Sequence, residues 1–416
     1  MRTRFAAALG VLALAAAASS ASARQSRGTA TPLFTAAPAV MTSPAKAGSA
    51  QPNLAVNARG DAWLSWLEPE GATTKFQLTS LTPAGAWSAP MTITQGDRVM
   101  ANWADFPSIF AAADGRLAAH WLERGLASRG SYGVRVVTSS NNGKTWTTAT
   151  TPHRDATAGE YGFVSIYEGQ GGVLGMIWLD GRETVGGNAA KAAGAMALRS
   201  TTIARNGTTG DERVIDDRVC DCCQTSAART ADGVIVAYRD RGPSEIRDVV
   251  VSRLEGEAWT PAMTIGADDW MINGCPVNGP SIAAAGRAVA VAWFTAVGNT
   301  PKTQIAFSSD SGRTFSAPIR VDAAPTLGRV AVSMLGPDRA LVASIERGDS
   351  GAWLVARDVR RDGSAGAPVR IAPMAPDRVS GFPRVVVANG RALFAWTDIT
   401  PGAPTQVRVA QARIRP

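Results

Sequence analysis

The sequence predicts an all-β ring of four-stranded blades, a β-propeller, and three observations carry that expectation. A pair of short apolar strands joined by a Gly-type turn recurs along the chain. The recurrences are almost evenly spaced. A fourth-strand motif missing after the last repeat is present near the N-terminus. Composition agrees: 45% of the 416 residues are hydrophobic and 18% charged, too apolar for disorder, and 42 Gly with 24 Pro punctuate short strands better than a helical bundle.

The repeat is marked by the turns Arg59-Gly60, Asp114-Gly115, Gly171-Gly172, Asp232-Gly233, Gly286, Pro337-Asp338 and Asn389-Gly390. The strands that follow end at Trp66, Trp121, Trp178, Tyr238, Trp293, Ser344 and Trp396, a steady pitch of roughly 55 residues, within the range of a propeller blade. Seven units are favoured; a ring of six with one divergent unit, the one around Ser344, is the alternative. Fourth strands share a pattern at 87–93 (WSAPMTI), 259–265 (WTPAMTI), 315–321 (FSAPIRV) and 365–371 (AGAPVRI). The last unit ends after three strands, and 33–41 (LFTAAPAVM) resembles the missing fourth, so this segment is expected to close the ring beside 406–414 and remove an open sheet edge.

Residues 1–23 read as a secretory signal: Arg2 and Arg4, an apolar stretch from Phe5 to Ala18, and the cleavage site Ala21-Ser22-Ala23. The expectation is export to a bacterial periplasm or beyond, with 24–416 a single propeller domain and a monomer. No later apolar run approaches the roughly 18 residues of a membrane span. The formal charge of +8 comes mostly from scattered Arg, with no basic run longer than two, so a nucleic-acid partner is not expected.

Two turns between third and fourth strands share a sharper motif, S-x-[DN]-x-G-x-T-[WF]: Ser139, Asn141, Gly143, Thr145 and Trp146 in one, Ser308, Asp310, Gly312, Thr314 and Phe315 in the other. It resembles the Asp box, or BNR repeat, of the sialidase superfamily. The likeness covers the chain from residue 24 as architecture and marks a divergent subgroup carrying CDCC and GCP cysteine motifs. Here the motif is a folding device: Asn or Asp accepts turn amides, Gly permits positive φ, and the aromatic packs between sheets.

The resemblance implies a glycosidase that holds a substrate carboxylate with three Arg and uses a Tyr nucleophile, a Glu and an Asp. Arg suits that task because its planar fork binds a carboxylate bidentately. This chain departs from the pattern. Its Tyr are 132, 161, 167 and 238 only, none in the late position of the family's nucleophile, and the first inner strand reads QPNLAV (51–56) in place of F/Y-R-I-P. Sialidase turnover is therefore not expected; binding of a glycan or other small anionic ligand is, with a glycosidase acting through other carboxylates as the alternative.

Strand parity places the long loops on one face, the mouth. Two residues beyond the repeat aromatic stand Glu68, Glu123, Asp180, Asp240, Thr295, Glu346 and Asp398. These acids form either a ligand-binding rim or a repeated structural pairing. Asp180, Asp240 and Glu346 are the candidate catalytic acids, and Arg124, Arg182, Arg239, Arg241, Arg347 and Arg384 the candidate ligand contacts. Cys220, Cys222 and Cys223 precede the fourth unit and Cys275 the fifth. In an exported chain they suggest disulfides, with Cys222 or Cys223 joined to Cys275 as a staple between blades; the other reading is a soft-metal site for Cu(I) or Zn, the only cofactor the sequence suggests.

Overall fold

The computed structural model describes residues 32–125, 131–154, 158–184, 194–349 and 351–416. The expected leader lies outside them, as do the middles of two long mouth loops. Seven antiparallel sheets are present, and the unit around Ser344 is a full blade, built on strands Thr326–Gly336, Arg339–Gly348, Gly351–Arg360 and Val369–Met374. The ring has seven blades, not six.

The innermost strands are Ala50–Val56, Ser108–Ala111, Tyr161–Glu168, Ser226–Thr230, Ser281–Ala285, Thr326–Gly336 and Arg384–Ala388. Each packs against the next, and the last against the first. Blade 2 shows only three named strands; Thr150 bridges Val136 where a fourth would lie. Closure is by the N-terminal segment: Ala39–Met41 pairs antiparallel with Gln406–Arg413, and Phe34 bridges Ile414.

The second strands explain the repeat. They are flanked on both sides, so they read as nearly continuous apolar runs, and Leu174–Asp180 and Ala288–Thr295 are buried throughout. Apolar clusters fill each gap between neighbouring blades: Leu64, Trp66 and Leu393 between blades 1 and 7, Ile177 and Val236 between 3 and 4, Phe34, Leu354 and Phe394 between 6 and 7. No helix among the described residues is long and apolar enough to cross a membrane.

The two motif turns have one geometry. Ser308 Oγ donates to Asp310 Oδ1 (2.7 Å), which also accepts the amides of Arg313 (3.0 Å) and Thr314 (2.9 Å). Ser139, Asn141 and Thr145 repeat this with Asn141 Oδ1 as acceptor. Gly143 and Gly312 have φ of 82° and 81°, and a Cβ on Gly312 would lie 2.2 Å from Ile235 Cδ1. Trp146 and Phe315 pack onto the clusters between blades.

Candidate functional site

Three of the six recurring acids at the ends of the second strands serve the repeat aromatics of their own blades. Residues i and i+2 of a strand share a face, so the indole N–H of Trp66 reaches Glu68 (2.9 Å), that of Trp121 Glu123 (3.2 Å) and that of Trp178 Asp180 (2.8 Å). In blade 5, where Thr295 stands in place of the acid, Asp268 from the preceding connection takes the Trp293 N–H (2.8 Å). In blade 4 the Tyr238 hydroxyl donates to Asp216 (2.9 Å).

Asp180 is fully buried and held bidentately by Arg182 at 2.7 Å, which also reaches Glu212. Asp240 accepts the Arg241 amide (2.7 Å), and Glu346 accepts the Ala323 amide (3.1 Å). Burial pushes the Asp240 and Glu346 carboxyls upward. None of the three lines the axial cavity.

The Arg candidates separate into three kinds. Arg182 and Arg241 are committed to acids, Arg241 to Glu245 at 2.9–3.1 Å. Arg347 is exposed and reaches Pro376 O, and Arg124 is exposed. Arg239 and Arg384 are different: neither forms an ion pair with a described carboxylate. Arg239 is buried on the carbonyls of Asn278, Arg247 and Phe294, 5.0 Å from the Trp270 ring. Arg384 stands in the axial channel over the Phe106 ring (4.0 Å) with its Nε buried and unpartnered, and burial lowers its pKa to about 10.

Two charged side chains that the sequence did not single out, Arg329 and Asp105, complete the mouth. Arg329 is buried 4.8 Å from the Trp103 ring and 4.6 Å from Phe382, its Nε unpartnered; burial and the Arg378 charge lower its pKa to about 10. Asp105 accepts the Phe163 amide through Oδ1 (2.7 Å), while its buried Oδ2 has no partner. Burial lifts this carboxyl to about 7, against the Phe163 hydrogen bond and with help from Glu160. Gly162 makes room for it, since a Cβ there would lie 1.9 Å from Oδ2. Phe163, Val277 and Arg329 all have φ between 47° and 57°, a conformation disfavoured for non-glycine residues and concentrated where a site is held rigidly. The available sequence signal was the Phe-Pro pair entering two inner strands, Phe106-Pro107 and Phe382-Pro383.

The axial cavity, about 230 Å³, is lined by Asn53, Asp105, Ser108, Ser165, Gln224 and Arg384 among others. Beside it the cysteines gather. Cys220 Sγ lies 3.9 Å from Cys222 Sγ and 2.7 Å from Cys223 Sγ, and Cys222 Sγ lies within 4.8 Å of Cys275 Sγ and an Asp221 oxygen. All four are free thiols. Burial opposes ionisation of Cys220, but hydrogen bonds from Cys222 and Cys223 and the Arg247 charge outweigh it and hold this thiol well below its ordinary range. The motif neighbours are braces: Gln224 links Ala104 O (2.7 Å) to the Gly279 amide (3.0 Å), and Asn278 binds the Arg329 amide (2.9 Å). Neither histidine joins them: His120 is a buried strand residue bonded to Ser108, and His153 stacks on Tyr161.

No family model matches the chain, and no curated protein matches it. Solved structures do. It is similar to a protein of unknown function from Dyadobacter fermentans (15% identity over 91% of this chain and 98% of that one, TM-score 0.51). It is similar to polysaccharide lyase Uly1 (10% identity, 92% and 91%, 0.51) and to the endosialidase of phage phi92 (12% identity, 92% and 70%, 0.50). What the chain shares with them is the β-propeller fold. At these identities the likeness is one of architecture.

Proposed function

We propose that this chain is an exported propeller that binds an anionic saccharide, or a small anion of similar size, in its axial cavity. One observation supports the reading above the others: Arg384 lines the cavity with a buried, unpartnered Nε–H and no described carboxylate to neutralise it, and Arg329, whose Nε–H is also unpartnered, stands over Phe382 of the cavity wall. Buried cations are costly without a counter-charge, and an incoming carboxylate supplies one. Asp105 offers a further unsatisfied oxygen that accepts a hydroxyl when ionised and donates when protonated. The cavity volume suits a single sugar unit. Two of the structures with this fold are by name an endosialidase and a polysaccharide lyase, which favours a saccharide. Export rests on the leader-like residues 1–23.

Calorimetric titration with uronate and sialate oligosaccharides tests this. Arg384→Ala should weaken binding by about 10- to 100-fold, the loss of one charged hydrogen-bonding group, while Arg347→Ala should leave it unchanged. An affinity indifferent to Arg384→Ala, or no binding of any acidic saccharide, overturns the reading.

A second, catalytic reading has its own observation. The Tyr132 phenol hydrogen-bonds Glu160 and senses the Asp105 charge, so a phenol and two carboxyls meet beside the cavity. Burial and the two acids push the phenol pKa well up, which disfavours a sialidase-type nucleophile and suits a proton donor. Cleavage of a uronate polymer, abolished by Tyr132→Phe, would establish it; release of 4-methylumbelliferone from its sialic acid conjugate is not expected.

A further inference from the structure

Cys220, Cys222 and Cys223 enter blade 4 and Cys275 enters blade 5, yet the ring brings their sulfurs together on the mouth side. We infer that they form a thiolate site for one thiophilic d10 cation, Cu(I) or Zn(II), with Cys220, Cys222 and Cys223 as the core ligands and Cys275 closing the set from the exposed side.

The donor set is selective by chemistry. Soft thiolates choose Cu(I) and Zn, whereas Ca and Mg demand oxygen. Metal–sulfur bonds of about 2.3 Å in a tetrahedron put sulfurs roughly 3.8 Å apart. The Cys220–Cys222 distance of 3.9 Å matches; Cys223, now 2.7 Å from Cys220, must move about 1 Å farther away, and all three sulfurs already lie within 4.8 Å of one another.

The surroundings match the charge of the product. Three thiolates around Cu(I), or four around Zn(II), carry a net charge of −2. Arg247 Nη1 lies 3.5 Å from Cys220 Sγ and 3.0 Å from Asp221 Oδ1, while its Nη2 is held by Glu245 at 2.8 Å. An N–H group aimed at a coordinating sulfur fixes it and tunes the ion.

Cys222 packs with Trp103, Phe163, Val277 and Phe382, an apolar wall that keeps water from one side. Cys275 is exposed and provides the entry. Each ligand sulfur that still carries its proton exchanges the S–H bond for a metal–sulfur bond and releases that proton to solvent, with no change of oxidation state.

The test uses the full exported chain, reduced, freed of reductant under anaerobic conditions, and titrated in separate arms with Zn(II) and with Cu(I) against a competing chelator. One equivalent bound in either arm, with proton release and a higher melting temperature, is the expected result. Replacement by Co(II) should give intense thiolate-to-metal absorption. Cys222→Ser and Cys223→Ser should each weaken binding by more than about 100-fold, beyond the cost of losing a group that merely supports a ligand. Cys222→Ala serves as the second variant, with circular dichroism reporting the fold. Loss on Cys275→Ser marks four-coordinate zinc, and retention marks three-coordinate copper. The inference fails if the reduced chain takes up neither ion stoichiometrically, as it would if Cys220–Cys223 and Cys222–Cys275 served only as disulfides. It also fails if the Cys222 and Cys223 variants bind like the parent. Saccharide titration of the same variants keeps this outcome separate from the fate of the axial cavity.

Discussion

Removing residues 32–41 should open the ring at blade 7. The segment contributes two buried side chains, Leu33 and Phe34, and Phe34 meets Phe394 edge-on with centroids 6.2 Å apart. It also supplies the ladder from Ala39↔Gln411 to Met41↔Val409 and the bonds Thr35 N to Arg413 O and Arg415 N to Leu33 O, each 2.9 Å. Burying the two side chains contributes about 3–6 kcal/mol and the aromatic pair about 1 more. Against an unfolding entropy on the order of 0.8 kcal/mol/K for a propeller of this size, the loss corresponds to a fall in Tm of roughly 5–9 °C. The bared edge of Gln406–Arg413 should also raise the tendency to associate. Calorimetric melting of the shortened chain against the parent, with light scattering, measures both. Val40→Ala is the control, because Val40 is 66% exposed and its loss should move Tm by less than about 1 °C. A shortened chain that melts within about 1 °C of the parent would refute closure by this segment.

Two further outcomes follow from the buried acids. Asp180→Ala strips Trp178 and Arg182 of a shared acceptor and should cost about 3–5 kcal/mol by chemical denaturation, the usual penalty for breaking a buried pair; a loss below about 1 kcal/mol would show that the acid is not structural. For Asp105 the sign is set by a folded pKa of about 7 above an ordinary value of 3.8. The folded state then binds more protons than the unfolded state between these values, so this group's contribution to stability falls as pH rises from about 4 to 7. Asp105→Asn, which keeps an acceptor for the Phe163 amide, should melt higher than the parent at pH 8 and lose that advantage by pH 4; a difference independent of pH would sink the assignment.

The pitch, the closing segment and the two motif turns were written in the sequence, and seven blades were favoured there, with the full blade around Ser344 deciding against six. Each rests on contacts that are local or that recur with the repeat, so strand alternation, turn chemistry and spacing betray them. The recurrence of the acids was legible too, two residues beyond the repeat aromatics; what the sequence left open between a rim and a brace, the 2.8 Å contact of Trp178 with Asp180 decides for that blade, since residues two apart on a strand share a face. The mouth is another matter. Asp105, Arg329 and Arg384 come from connections and strands of blades 2, 6 and 7, and Cys222 and Cys275 are more than fifty positions apart. No sequence period links them. Only closure of the ring sets their strand ends at one height around one axis, and only burial there turns ordinary charges into unneutralised ones. That is why Arg239 and Arg384 stood out as breaks in the repeat, while Asp105 and Arg329 emerged only from the tertiary structure.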